Sequence, residues 1–254
     1  LNSLDRIPKG VNVLSYVGLN PLLIYTMGLE AAKSRPATDS EREKMCQLFE
    51  EALQAGGCGF SVQLGGENSV QRDYDGTPMA TDCMAEEDLL AFARVLNKVG
   101  RGFTQIAGSL EIAEKIAEVS GRPVLWNLLA PATDQHGQKT APHQEAIRRI
   151  DEDNAKGLRI FAQALTVDVG FEFTLEDWNL FDTSPVWREV TLGDVSERMQ
   201  KMSDPQRRHA LREEYDLGKG PIAGGGTEEG VKESGGGANV NGIATLIVED
   251  VESP

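Results

Sequence analysis

The 254-residue sequence predicts an α/β fold built on a parallel sheet. Through the first 165 residues, short apolar runs of strand length alternate with longer runs that have helical periodicity. The predicted helices end at glycines, and each glycine lies within three residues of the next strand. Parallel neighbours need right-handed crossover connections, which this alternation supplies. These observations predict repeated βαβ units and leave open whether the sheet is open or closed.

Five runs have the composition of buried strands. Each is rich in apolar or β-branched residues, and none alternates polar and apolar positions along its full length. They are VNVLSYVG (residues 11–18), GFSVQL (59–64), GFTQIA (102–107), PVLWNLL (123–129) and LRIFAQAL (158–165).

Four helices are predicted between these strands. The first begins at Asp39, where Thr38 and Glu41 form a capping box ahead of a periodic apolar face. The others cover residues 85–99, the run after Ser109 and the run after Thr140. The glycines that close the four helices are Gly56, Gly100, Gly121 and Gly157.

The pattern changes after the fifth strand, so we divide the chain into residues 1–192 and 193–254. Residues 168–190 are aromatic-rich and irregular, which predicts a lid loop over one end of the sheet. The alternative is that these rings pack on the outside of the sheet or bind a second subunit. The second part is predicted to be a charged helical run broken at Asp204, a glycine-rich loop and a closing strand at 242–251.

Charge and cysteine content exclude several classes of protein. Lys and Arg number 25 against 40 Asp and Glu, and a net charge of −15 makes nucleic acid and anionic membranes improbable partners. No run approaches the ~20 apolar residues that a membrane-spanning helix needs, and no leader is visible, so we expect a cytoplasmic protein. Three cysteines without C-x-x-C spacing indicate neither a disulfide framework nor a structural zinc site.

Candidate ligand-binding residues follow from where ligands bind in parallel α/β proteins, at the carboxyl ends of the strands. Amide side chains dominate there. The predicted set is Ser61, Gln63, Gln105, Asn127 and Gln163, with Arg72 in the loop after the second strand. Tyr16 and Asn20 accompany this set at the end of the first strand. Amides both donate and accept hydrogen bonds, which suits a neutral or carboxylate-bearing ligand, and Arg72 can clamp a carboxylate. The structural alternatives are that the amides bond one another and that Arg72 belongs to a self-paired surface loop.

Other nucleophiles and ligands are weaker candidates. His136, His143 and His209 are predicted to be solvent-exposed, and Ser61 lacks a positioned base or a G-x-S-x-G turn. No metal ligand is assigned in this chain.

A longer pattern carries a family resemblance. It consists of VNVLSYVG, the run PATDSEREKMCQLFEEALQAGGCGFSVQL, the run AEEDLLAFARVLNKVGRGFTQI and the later SDPQRRHALREEY. Together these resemble the N-acyl-D-amino-acid deacylases, a branch of the amidohydrolase superfamily. The resemblance implies a TIM-type (β/α) barrel, here present only in part as strands three to seven of eight, and so a central fragment of a longer protein.

The resemblance also implies hydrolysis of the amide bond of a small substrate by metal-activated water, with zinc as the expected metal. The family pattern expects metal-binding histidines on the fifth and sixth strands, where this sequence has Gln105 and Asn127. The alternative function is a non-catalytic small-molecule binding or assembly protein that keeps the barrel without the metal site. A homo-oligomer stays open, and an unrelated doubly wound fold is disfavoured because no glycine-rich phosphate turn follows an early strand.

Overall fold

The computed structural model describes residues 6–8, 10–66, 73, 77–129, 132–133, 139–140, 142–164, 185–216, 222–223 and 238–239. Its main sheet contains β1 (Val17–Gly18), β2 (Gly59–Gln63), β3 (Phe103–Ala107), β4 (Val124–Leu129) and β7 (Ile160–Ala164). Two short antiparallel pairs join β5 (Ala132–Thr133) to β6 (Lys139–Thr140) and β8 (Ile222–Ala223) to β9 (Ala238–Asn239).

The five strands of the main sheet are parallel and pair in chain order, β1-β2-β3-β4-β7. This confirms the predicted parallel α/β sheet, which is consistent with part of a (β/α) barrel. Because parallel crossovers are right-handed, pairing in chain order places the connecting helices on one face of the sheet.

The helices before residue 165 are α1 (Leu19–Met27), α2 (Leu29–Ser34), α3 (Asp39–Gln54), α4 (Glu86–Val99), α5 (Leu110–Ser120) and α6 (Pro142–Ala155). The last four are the predicted ones. The Thr38 hydroxyl accepts a hydrogen bond from the Glu41 backbone N–H at 3.3 Å, and the Glu41 carboxylate accepts from the Thr38 N–H at 2.8 Å, which confirms the capping box. The predicted closing glycines all have positive φ, from +60° to +106°.

The core lies between these helices and the sheet. Phe49, Phe60 and Phe92 are fully buried, and the Phe49 ring meets the other two edge-on at 5.7 and 5.5 Å. Gly59 lets β2 approach β3, because a Cβ at that position would lie 1.7 Å from the Phe103 carbonyl oxygen.

The first predicted strand is largely wrong. Only Val17 and Gly18 pair with β2, and Val11, Val13 and Leu14 are exposed. The residues directly after it form helices α1 and α2, which the sequence did not indicate. Gly18 offers no side chain to cap α1, so the usual N-cap signal is missing, although Pro21 in the first turn is compatible with a helix start.

The later part of the chain contains α7 (Pro185–Thr191), α8 (Val195–Ser203) and α9 (Pro205–Asp216), which contact one another. The predicted break at Asp204 separates α8 from α9. Residues 185–190 of the predicted lid are helical, and residues 168–184 lie outside the described residues, as do most of the glycine-rich loop and the predicted closing strand. The lid and the domain boundary at residue 192 stay predictions. No described helix has the length and apolar character needed to cross a membrane.

Candidate functional site

Three of the predicted amides form one layer across the carboxyl end of the sheet. The strand register aligns Gln63 with Ala107, Ala107 with Asn127, and Asn127 with Gln163. Residues aligned in this way point to the same face. The positions that alternate with them, Val62, Ile106 and Trp126, are buried against the helices. The amide layer therefore occupies the face that the helices do not cover.

A second layer lies one step toward the amino ends of the strands, on the same face. The register aligns Ser61, Gln105, Leu125 and Phe161. The Ser61 hydroxyl donates a hydrogen bond to the Gln105 side-chain carbonyl oxygen. Because that oxygen is engaged, Gln105 presents its amide N–H donors to other partners. Ser61 and Gln105 thus bond each other across two strands, and their predicted ligand-binding role stays a prediction.

Asn127 has a buried acceptor. Its Oδ1 has no hydrogen-bond partner among the residues that the structure describes. Buried polar atoms in folded proteins nearly always find a partner, and an acceptor left alone costs about 1–3 kcal/mol. In the layer with Gln63 and Gln163, this oxygen can accept a hydrogen bond from a ligand.

Arg72 lies outside the described residues, so its predicted role stays a prediction. Its neighbour Asp73 is described, and its carboxylate lies 2.6 Å from Lys33 Nζ on α2. Lys33 also donates to the Thr77 hydroxyl at 2.7 Å. These bonds attach the loop between β2 and α4 to α2.

Sequence reasoning missed the residue that holds the other end of this loop. Asp82 lies in a 3₁₀ turn (Ala80–Cys83) and is only 8% exposed. Its Oδ1 accepts from the Gly65 backbone N–H at 2.6 Å and its Oδ2 from the Met79 N–H at 3.3 Å. Asn20 also belongs to this arrangement, because its Oδ1 accepts from the Thr81 N–H at 3.3 Å. This bond gives Asn20 a structural role in the turn, and its ligand-binding role stays a prediction.

The donors on the open face do not fit zinc. Ser61, Gln63, Gln105, Asn127 and Gln163 are neutral, whereas protein zinc sites use imidazole, thiolate and carboxylate groups. Within the described ranges, no three His, Cys, Asp or Glu side chains are grouped so as to hold a metal ion.

The histidines and cysteines do not supply such a group. His143 is the second residue of α6. Its Nδ1 is buried and has no partner among the described residues, so it is not the exposed side chain that the sequence predicts. His209 is exposed on α9, 4.0 Å from Glu213, and His136 lies outside the described residues. Burial raises the pKa of the Cys46 and Cys58 thiols, which disfavours the thiolate that binds metals.

One cavity of about 340 Å³ lies away from the sheet, between α7 and α9. Its lining is apolar except at its rim, where Arg207 Nε donates to Glu189 Oε2 at 3.1 Å. It brings together none of the predicted site residues.

Comparisons with family models and with curated proteins find no match for this chain. Among solved structures, a D-aminoacylase described as defining a novel subset of amidohydrolases aligns with a TM-score of 0.49 and 20% identity. An N-acyl-D-glutamate deacylase from Bordetella bronchiseptica, complexed with zinc and a phosphonate inhibitor, aligns with a TM-score of 0.48 and 19% identity. Each alignment covers 63% of this chain and 31% of the other, so the chain spans about a third of their length. A likeness at this level assigns no function.

Proposed function

We propose that this chain supplies the substrate-binding face of an amide hydrolase of the N-acyl-D-amino-acid deacylase type. The observation that carries the proposal is the amide layer of Gln63, Asn127 and Gln163, aligned across the carboxyl ends of parallel strands and turned away from the helices. Carboxyl ends of parallel strands are where α/β proteins bind their ligands. The sequence resemblance supports the reaction class.

The chemistry of this layer suits a ligand that carries an amide and a carboxylate. Gln63 and Gln163 can donate to carbonyl or carboxylate oxygens, and the buried Oδ1 of Asn127 can accept from an N–H. Below them, Gln105 is oriented by Ser61, so its N–H donors complete the floor of the site. In this proposal the five side chains bind and orient the substrate.

The family resemblance implies that a metal ion activates the water that attacks the amide. The described donors on this face are neutral and do not fit such a metal ion. The metal ligands of the proposed enzyme would come from outside these residues, either elsewhere in this chain or in a longer protein of which it is the central part. A cytoplasmic location and a homo-oligomer likewise stay predictions.

One observation favours a second candidate, a non-catalytic protein that binds small amides or assists assembly. Gln105 and Asn127 stand on β3 and β4, where the resemblance expects metal-binding histidines. With amides in place of the histidines, this face can still bind a ligand through hydrogen bonds. Among the residues that the structure describes, it has no metal ligands of its own through which a water molecule could be activated. This candidate predicts binding without turnover.

The test measures binding and hydrolysis of N-acetyl-D-glutamate by the 254-residue chain, with and without added zinc. Gln63→Leu and Gln163→Leu should each weaken calorimetric binding about tenfold, since one lost hydrogen bond is worth ~1 to 1.5 kcal/mol. Gln54→Leu is the matched control, because Gln54 is an exposed amide on α3. It should leave binding unchanged.

Each outcome has a distinct meaning. Release of glutamate that depends on Gln63 and Gln163 supports the hydrolase. Binding without release after metal loading means that this chain alone does not assemble the metal centre. The same assay on a longer protein that contains this chain then separates the two candidates, because only the hydrolase releases D-glutamate. If the unmodified chain does not bind the probe, or if all three variants bind equally well, the proposed site is wrong.

A further inference from the structure

We propose that Asp82 is a positioning residue: its buried carboxylate fixes the backbone that follows β2 and thereby holds Gln63 in the amide layer. The consequence for ligand binding rests on the proposed function. The positioning itself rests on the contacts of Asp82 and of the 3₁₀ turn that carries it.

The first contact is direct. Asp82 Oδ1 accepts from the Gly65 N–H at 2.6 Å, and Gly65 is two residues beyond Gln63. Asp82 is 8% exposed, so its carboxylate has lost most of its hydration. The backbone N–H groups of Gly65 and Met79 replace the lost water by donating hydrogen bonds to it. Charge-assisted bonds of this kind hold a backbone segment more firmly than neutral ones.

The opposite side of the same segment is held by the sheet. The Leu64 N–H donates to the Ala107 carbonyl oxygen at 2.8 Å, which extends the pairing between β2 and β3 by one residue. Gln63 therefore lies in the ladder, and the two residues after it are bonded to β3 on one side and to Asp82 on the other. Because the backbone is held on both sides, the direction of the Gln63 Cα–Cβ bond is fixed.

The turn that carries Asp82 is itself attached to the sheet edge. The Thr81 N–H donates to Asn20 Oδ1 at 3.3 Å, and Asn20 lies in the first turn of α1, directly after β1. Lys33 on α2 binds Asp73 and Thr77, which precede the turn. The turn thus connects the carboxyl ends of β1 and β2. A loop of this length between a strand and a helix is unusual in α/β units and is more often functional than a simple connection.

A purely structural role for Asp82 is the competing explanation, and the chain contains a matched control for it. Asp88 is 2% exposed, accepts from the Ala37 backbone N–H at 2.9 Å and pairs with Arg42 Nε at 2.7 Å. It is also a buried carboxylate that binds a backbone amide, but it joins the starts of α3 and α4 on the helix-covered side. Losing either carboxylate should destabilise the fold, and only Asp82 should affect Gln63.

The experiment compares Asp82→Asn and Asp88→Asn in the full chain, using NMR of the Gln63 side-chain amide without ligand and calorimetric binding of N-acetyl-D-glutamate. We expect Asp82→Asn to shift the Gln63 side-chain resonances and to weaken binding about tenfold, the equivalent of one lost hydrogen bond. Asp88→Asn should lower the unfolding midpoint without moving the Gln63 resonances. Unchanged Gln63 resonances in Asp82→Asn would overturn the proposal.

The two readouts separate this inference from the proposed function. If the unmodified chain does not bind the probe, the proposed function fails, while the Gln63 resonances still test the positioning. If Asp82→Asn does not fold, Asn20→Ala takes its place, since it removes the other attachment of the turn. An unchanged Gln63 amide in Asn20→Ala would then contradict the proposal.

Discussion

The two faces of the main sheet are made by alternate residues of the same strands, and they differ in almost every respect. Facing the helices, Val62, Ile106, Val124 and Trp126 are at most 4% exposed. Facing the other way are the amides and Ser61, together with Phe161, which is 53% exposed while its neighbour Ile160 is 1% exposed. Stability is therefore concentrated on one face and hydrogen-bonding capacity on the other, so substitutions should separate the two.

The largest effect on stability is expected in β4, where the consecutive residues Leu125 and Trp126 lie on opposite faces of the sheet. Trp126 is fully buried and donates from Nε1 to the Gly108 carbonyl oxygen at 2.9 Å. Trp126→Ala should lower the free energy of unfolding by about 3–5 kcal/mol, because it leaves a cavity and removes a buried donor. Leu125→Ala, on the other face, should cost less than half as much. Urea unfolding measures both, and equal losses would show that the open face is also a packed core.

A smaller effect of opposite sign is expected one strand away. Thr104 is fully buried on the helix side, and its hydroxyl has no hydrogen-bond partner among the described residues. Thr104→Val keeps the shape and removes the unpaired hydroxyl, so it should raise the free energy of unfolding by about 1 kcal/mol and leave probe binding unchanged.

The adjacent Gln105→Leu should do the reverse. It should weaken binding because it removes the N–H donors that Ser61 orients, and it should change stability little. Thermal unfolding measures the stability of both variants, and calorimetry measures their affinity for the probe. A Thr104→Val variant that is less stable than the unmodified chain would mean that the Thr104 hydroxyl has a hydrogen-bond partner in the folded protein.

The smallest effect concerns pH. A hydrogen bond from Arg35, together with hydrogen bonds from Thr38, lowers the pKa of Glu41 at the start of α3 to about 2. A carboxyl whose folded pKa is depressed adds stability above its unfolded pKa and loses it as the pH falls toward the folded value. The stability difference between the unmodified chain and Glu41→Gln should therefore be full at pH 7 and shrink between about pH 4.5 and 2. The same difference at pH 7 and pH 2.5, measured by urea unfolding, would contradict this assignment.

The sequence predicted the parts of the fold that depend on local signals. The capping box at Thr38 and the closing glycines are short-range patterns, and the structure confirms them. The strand at residues 11–18 failed because a strand needs a neighbour as well as composition, and only its last two residues have one. Helices α1 and α2 were missed because they are short, with nine and six residues, and neither has a side-chain cap at its start.

For the site, the late positions of the amides in the predicted strands indicated that they lie at one edge of the sheet. The strand register, which only the structure gives, determines which of them share a layer. No sequence pattern joins Asp82 to Gly65, because their contact depends on a loop that returns to the sheet over 17 residues. The role of such a buried carboxylate can be recognised only from a structure, because it depends on where the backbone N–H groups around it lie.

Pairing in chain order also determines how the molecule can assemble during synthesis. Each strand of the sheet meets the one made just before it, so every new helix and strand can dock as soon as it leaves the ribosome, without waiting for distant segments. One flank of the growing sheet is always its newest strand, and the next unit to emerge covers it. We expect a chain built in this way to tolerate a pause in translation between two units better than a pause within one unit.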